Sequence, residues 1–157
     1  MILDKLKITM QKYRVLYAED EHDLRELTTE ILSAEGFECF PVVDGEEARK
    51  LLLTNKYDLL LTDFNMPNMD GAELLFWCRK NNHHFPVVFI TGAPEQMPVH
   101  KKALADSSTS LVNKPFNFRD LIHAIEQGID KGKLFASQGR ICSEATETMF
   151  LGQHSMD

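Results

Sequence analysis

Hydrophobic positions along the chain follow two alternating spacings. Short runs of consecutive apolar residues are typical of strands that are covered on both faces. The longer stretches between them place apolar residues three or four positions apart, as in amphipathic helices. The segments interpreted as strands span residues 14–19, 37–42, 58–63, 85–91 and 110–113, and those at 14–19, 58–63 and 85–91 are the most continuously apolar. The pattern therefore predicts five strands, each followed by a helix.

Local signals at the ends of the intervening stretches support five helices. The first is predicted over residues 21–35, with Leu24, Leu27, Ile31 and Leu32 at helical spacing and Gly36 at its end. The other four are predicted after Asp44-Gly45, after Gly71, over residues 95–105, and from Asn117 to about Lys131. Strict alternation of strand and helix indicates a parallel sheet with helices on both faces.

Polar residues stand at the carboxyl ends of four predicted strands. In a parallel α/β sheet, ligands bind beyond the carboxyl ends of the strands, so residues at these ends should lie close together. They are Glu19 and Asp20 after the first strand, Asp63 after the third, Thr91 after the fourth and Lys114 after the fifth. We therefore expect one polar site at this edge of the sheet.

The residue types at this edge suggest phosphoryl chemistry. Carboxylates from separate strands form the oxygen-rich, negative pocket that Mg²⁺, or Mn²⁺ in its place, prefers. A carboxylate beside such an ion can attack phosphorus and form an aspartyl phosphate. Lys114 could neutralise charge on the phosphoryl oxygens, and the Thr91 hydroxyl could donate a hydrogen bond to one of them.

Four segments of the chain resemble the signatures of response-regulator receiver domains, in the order and approximate spacing of that family. They are Tyr17-Ala-Glu19-Asp20-Glu21, Thr62-Asp63-Phe-Asn-Met-Pro67-Asn-Met-Asp70-Gly71, Ile90-Thr91-Gly92 and Lys114-Pro115-Phe116. The resemblance covers about residues 14–131. It implies a flavodoxin-like (βα)5 fold, a doubly wound sandwich whose parallel sheet has the strand order 2-1-3-4-5.

The resemblance also implies a role for each residue of the site. Asp63 would be the phosphoacceptor and a metal ligand, Asp20 a direct metal ligand, and Asn65 a ligand through its backbone carbonyl. Glu19 would bind the metal partly through water. Thr91 would move toward the phosphoryl group and Lys114 would pair with it. The protein would then be no enzyme beyond its own phosphorylation and dephosphorylation.

The partners that the resemblance implies are proteins. A sensor histidine kinase or a histidine phosphotransfer protein would supply the phosphoryl group, and phosphorylation would alter binding to a downstream protein that the sequence does not identify. A homodimer could form through the face made by the fourth helix, fifth strand and fifth helix, or through the C-terminal tail.

Two positions depart from the family pattern. Glu19 replaces the commoner aspartate, which lengthens the side chain but keeps its charge. Leu111 stands where many receivers have Tyr or Phe, so the usual aromatic relay of phosphorylation is missing. A phosphate-independent interaction module with a receiver fold therefore remains an alternative. A phosphatase with an aspartyl-phosphate intermediate is a weaker one, because Asn65 is not the acid that such an enzyme needs.

Composition and charge limit the partners and the cellular location that the chain can have. The 157 residues carry a net charge of −7, which argues against direct binding to DNA or to an anionic membrane. No apolar run approaches the roughly 20 residues of a membrane span, and charged residues interrupt the N-terminus where a signal peptide would be apolar. The three cysteines are widely spaced, which disfavours a disulfide framework. These features predict a cytoplasmic protein.

The chain divides into three predicted parts. Residues 1–13 form a leader, residues 14–131 the receiver domain, and residues 132–157 a C-terminal tail or appendage. The tail is too short for an output domain, although Met149, Phe150 and Leu151 form an apolar cluster within it.

Overall fold

A computed structural model describes residues 12–92 and 98–134 of the chain. Five parallel strands form one sheet in the order β2-β1-β3-β4-β5. The strands are β1 (Arg14–Ala18), β2 (Glu38–Val42), β3 (Leu59–Asp63), β4 (Val87–Thr91) and β5 (Thr109–Asn113). The helices are α1 (His22–Ala34), α2 (Gly45–Leu52), α3 (Gly71–Lys80), α4 (Pro98–Leu104) and α5 (residues 118–134). The predicted fold and strand order are confirmed.

Apolar side chains form one core on each face of the sheet. All residues of β3 and β4 are buried. Successive side chains of a strand point to opposite faces, so Leu60 joins the core beneath α2, α3 and α4, while Leu61 joins the core beneath α1 and α5. This two-sided burial explains why the central strands are continuous apolar runs in the sequence.

The buried face of α1 differs from the one that spacing predicts. Leu27 is 47% exposed, whereas Thr28 is fully buried. Thr28 and Leu32 lie one helical turn apart and both face the sheet, so the buried stripe is centred on them. Leu24 and Ile31 flank this stripe and are partly buried. The placement of Leu27 on the apolar face was therefore wrong.

The last helix continues past the predicted end near Lys131 and is still helical at residue 134. Gly132 lies within the helix and packs closely on Pro86, since a Cβ here would lie 3.2 Å from the proline Cδ. Of the predicted fourth helix, residues 95–97 lie outside the described residues, as do most of the leader and the tail, including Met149, Phe150 and Leu151. Within residues 12–92 and 98–134, no helix has the length and apolar character needed to cross a bilayer.

Candidate functional site

The carboxyl ends of β1, β3, β4 and β5 bring the predicted site residues to one edge of the sheet. Glu19 and Asp20 directly follow β1, Asp63 ends β3, Thr91 ends β4 and Lys114 directly follows β5. Pairing between β3 and β4 places Asp63 opposite Ile90, the neighbour of Thr91. Residues that are far apart in the chain therefore share one pocket because the strands are parallel.

Asp63 is held through both carboxylate oxygens. Its Oδ2 accepts a hydrogen bond from Lys114 Nζ at 2.6 Å, and its Oδ1 accepts one from the backbone N–H of Asn65 at 3.1 Å. The side chain is only 8% exposed. Both oxygens of the carboxylate are thus fixed in orientation by hydrogen bonds.

Three carboxylates converge at this point. Glu19, Asp20 and Asp63 each contribute an oxygen, and these oxygens lie within 4.8 Å of one another. Glu19 and Asp63 are buried, while Asp20 is exposed. A hard divalent cation suits such a cluster, because carboxylate oxygens and water are the ligands that Mg²⁺ prefers.

Glu19 supplies the clearest sign that the pocket is built for a ligand. It is fully buried, and its Oε1 accepts a hydrogen bond from the Glu21 backbone N–H at 3.2 Å. Its Oε2 has no hydrogen-bond partner among the described residues, and Lys114 Nζ lies 3.6 Å away. Burial raises the pKa of Glu19 to about 7, although the charge of Lys114 opposes the rise. A buried, unpartnered carboxylate oxygen fits a cation or its water shell.

Lys114 provides the positive charge of the pocket. Burial alone would lower the pKa of its ammonium group, but the hydrogen bond and negative charge of Asp63 outweigh burial and raise that pKa. The backbone N–H of Lys114 also donates to the Thr91 carbonyl at 2.8 Å. This bond ties the ends of β4 and β5 together, and the peptide bond between Lys114 and Pro115 is cis.

Thr91 and Leu111 occupy the positions that the sequence singled out for signal relay. Thr91 is fully buried at the end of β4. Leu111 lies in β5 opposite Phe89 and is partly buried against the core beneath α2, α3 and α4. Its aliphatic side chain leaves no aromatic ring at this position.

The segment between β3 and α3, residues 64–70, forms one wall of the pocket and is closed by a glycine. The Gly71 N–H donates to the Phe64 carbonyl at 3.0 Å. A Cβ on Gly71 would lie 2.2 Å from the backbone oxygen of Asp63, so only glycine fits. Asp70 then caps α3 by accepting a hydrogen bond from the Glu73 N–H at 2.8 Å, within a reciprocal capping box.

Sequence reasoning missed a second attachment of this wall. Asn68 Nδ2 donates to Asp44 Oδ2 at 2.7 Å, and the Gly45 N–H donates to the Met69 carbonyl at 3.1 Å. The sequence pattern places Asp44-Gly45 at the start of α2 and gives no sign there of this contact. A hint was available in the sequence, since asparagine tolerates the left-handed conformation that Asn68 adopts, with φ 67°.

Comparison with known proteins identifies relatives of the chain. The family profile described as Response regulator receiver domain matches residues 15–126. Response regulator receiver protein CpdR of Brucella abortus (strain 2308) is 32% identical over 114 residues, which cover 73% of this chain and 94% of CpdR. Transcriptional regulatory protein RprY of Bacteroides fragilis is 33% identical over 116 residues, which cover 74% of this chain but only 49% of RprY.

Solved structures show the same architecture. The receiver domain of the Francisella response regulator 1452 superposes with a TM-score of 0.69 at 28% sequence identity. The match covers 76% of this chain and 98% of the Francisella domain. The chain therefore spans nearly the whole of one relative and one solved domain, and about half of a longer relative.

Proposed function

Because the chain belongs to the response regulator receiver family of two-component signalling, we propose that it is a switch in which Asp63 accepts a phosphoryl group and thereby alters binding to a partner protein. The donor would be a phosphohistidine on a sensor histidine kinase or a histidine phosphotransfer protein. A P–O bond to the Asp63 carboxylate forms as the P–N bond breaks, and the imidazole, which carries a proton on its other ring nitrogen, takes the electron pair and leaves as the neutral ring. Hydrolysis of the aspartyl phosphate by water resets the switch.

One observation carries this proposal. The Asp63 carboxylate is buried, contacts Lys114 and lies within 4.8 Å of oxygens of Glu19 and Asp20. A carboxylate that served only structure would not require two further acids beside it, since like charges at this distance repel. The arrangement instead suits a site that gathers a cation and a phosphoryl group around one nucleophile.

The donor set fits Mg²⁺. Asp20 and Asp63 would bind the ion directly, with the Asn65 backbone carbonyl as a third protein ligand and Glu19 acting directly or through water. When bound, the ion would neutralise charge on the phosphoryl oxygens during transfer. Lys114 would contribute a positive charge from the β5 side, and the Thr91 hydroxyl would donate to a phosphoryl oxygen once that group is present.

The proposal is tested by labelling with a small phosphodonor such as acetyl phosphate in the presence of Mg²⁺. Mass spectrometry of the intact protein should show one added phosphoryl group, and Asp63→Asn should show none. Asp120→Asn is the matched control, because Asp120 is an exposed carboxylate on α5. Equal labelling of Asp63→Asn and the wild type would refute the assignment, and omission of Mg²⁺ should slow labelling strongly.

The output of the switch is tested separately. Leu111 favours the second candidate function, a phosphate-independent interaction module, because it removes the aromatic relay. Capture of partners from the native cell with and without beryllofluoride, which mimics the phosphoryl group, distinguishes the two. A changed set of bound proteins supports the switch, whereas an unchanged set supports the module. Turnover of phosphomonoesters that is lost in Asp63→Asn would instead indicate a phosphatase.

We further propose that residues 14–131 are the part that carries this function, with residues 1–13 and 132–157 as a leader and a tail. The family match over residues 15–126 supports this division. Dimerisation through the α4-β5-α5 face or the tail would be one form of output.

A further inference from the structure

The wall of the pocket formed by residues 64–70 is attached at three points. At its start, the Asn65 N–H donates to Asp63 Oδ1 at 3.1 Å. At its end, the Gly71 N–H donates to the Phe64 carbonyl at 3.0 Å. Between these two points, Met66 packs against the core beneath α2, α3 and α4, and the segment also contacts the start of α2.

The third attachment is a buried side-chain bridge. Asp44 is only 8% exposed. Its Oδ1 accepts a hydrogen bond from the Glu47 N–H at 2.8 Å and caps α2, while its Oδ2 accepts the Asn68 amide at 2.7 Å. The hydrogen bond from Glu47, aided by that from Asn68, keeps the pKa of Asp44 below its ordinary value. One carboxylate therefore joins the rigid start of α2 to the pocket wall.

The two backbones are also in contact beside this bridge. The Gly45 N–H donates to the Met69 carbonyl at 3.1 Å, and a Cβ on Gly45 would lie 2.4 Å from that same oxygen. Asn68 adopts a left-handed conformation with φ 67°, which presents its amide toward Asp44. Such close packing leaves the wall few alternative positions.

We propose that Asp44 and Asn68 are positioning residues for the phosphoryl and metal site. They bind neither ligand. Their hydrogen bond holds the wall so that Asn65, three residues before Asn68, keeps its backbone in place beside Asp63. The inference rests on the proposed function, because it assigns Asn65 to the metal, but it concerns a bridge outside the acidic cluster.

The first test removes the amide without straining the backbone. Asn68→Gly keeps the left-handed conformation available and deletes the bridge. Asn82→Gly is the matched control, because Asn82 also has a positive φ, 64°, but follows α3 at the opposite edge of the sheet. We expect Asn68→Gly to weaken Mg²⁺ binding about fivefold, the order expected when a typical hydrogen bond is lost, and to slow labelling by acetyl phosphate. Asn82→Gly should leave both unchanged.

The second test separates positioning from charge. Asn68→Asp places two carboxylates face to face and breaks the bridge, yet adds negative charge near the site. Charge alone would tighten Mg²⁺ binding, whereas loss of position weakens it. The double variant Asp44→Asn with Asn68→Asp reverses donor and acceptor, retains a side chain that can cap α2, and has the wild-type net charge. It should restore Mg²⁺ affinity to within about twofold of the wild type.

Urea unfolding of metal-free samples checks that every variant is folded at the temperature of the binding assay. Equal Mg²⁺ affinity of Asn68→Gly and Asn82→Gly would overturn the inference, as would tighter binding by Asn68→Asp or failure of the double variant to recover. Failure of the proposed function gives a different result, since the wild type itself would then not be labelled at Asp63 while the Mg²⁺ comparison could still succeed.

Discussion

Replacement of Glu19 by glutamine should stabilise the metal-free protein, and only at higher pH. The wild-type side chain is fully buried, with one oxygen that has no hydrogen-bond partner in the described part of the chain. Glutamine preserves the shape and can still accept the hydrogen bond from the Glu21 N–H through its oxygen. It cannot carry a negative charge, and its amide NH₂ group takes the place of the second carboxylate oxygen.

The magnitude follows from the pKa. Burial raises the pKa of Glu19 from 4.5 to about 7, with Lys114 opposing the rise. This difference corresponds to about 3 kcal/mol. The folded protein holds the proton more tightly than the unfolded chain, so the resulting stability is complete below pH 4.5 and is lost as the pH rises through about 7. The glutamine variant has no such proton to lose.

Urea unfolding with EDTA at about pH 5 and about pH 8 measures the effect. The free energy of unfolding of Glu19→Gln should lie within about 1 kcal/mol of the wild-type value at the lower pH and exceed it by about 3 kcal/mol at the higher pH. Other groups titrate over this range in both proteins and cancel in the comparison. A difference that is the same at both pH values, or a less stable variant at the higher pH, would refute the reasoning.

Four other substitutions, one of them a control, test interactions elsewhere in the domain and beside the site by the same unfolding assay. Burial opposes ionisation of Asp106, but hydrogen bonds, including one from Arg79, lower its pKa to about 2. Asp106→Asn should therefore lower the free energy of unfolding by about 1 kcal/mol at neutral pH after solvent screening is allowed for, and by less as the pH falls from 3.8 toward 2. A loss that does not depend on pH would contradict this. His100 is 4% exposed, and its Nδ1 has no hydrogen-bond partner among the described residues. Because leucine has no polar atom to leave unpaired, His100→Leu should raise the free energy of unfolding by about 1 kcal/mol. A clear decrease would show that the imidazole has its hydrogen bonds. Gly71→Ala should lower the free energy of unfolding by about 3 kcal/mol, because its Cβ would clash with the backbone at the end of β3. Gly92→Ala is the control and should lower it little, since its Cβ would be 3.9 Å from the nearest neighbour. Similar losses of stability in both variants would exclude the clash as the cause.

The fold was predictable because burial on both faces leaves a strong trace in the sequence. The central strands β3 and β4 are fully buried, so each is a continuous apolar run with a polar residue at its end. Once the strands are parallel, their carboxyl ends must meet at one edge. That is why Asp63 and Lys114, which are 51 positions apart, could be placed together before their contact at 2.6 Å was seen.

Features that depend on packing between loops were not predictable. Spacing alone predicts Leu27 on the apolar face of α1, but Thr28 is the residue that is buried against the sheet. The bridge between Asp44 and Asn68 joins two loops whose relative position is set only when α2 and α3 pack on the sheet. Sequence patterns report the periodicity within an element, whereas such contacts depend on distances between elements.

The balance of charge in the pocket explains why a buried Glu19 favours either a proton or a cation. Among the residues that the structure describes, three carboxylates lie near one ammonium group, that of Lys114, so these four groups carry excess negative charge when all are ionised. Without a cation, the pocket can reduce this excess by retaining a proton on Glu19, whose pKa near 7 reflects the cost of charging a buried carboxylate. A divalent cation would supply the same compensation without the proton, and would leave Asp63 ionised for the nucleophilic role proposed for it. The longer side chain of Glu19 reaches the cluster while its carboxylate stays buried, so the departure from the commoner aspartate preserves the balance of charge on which phosphoryl transfer would depend.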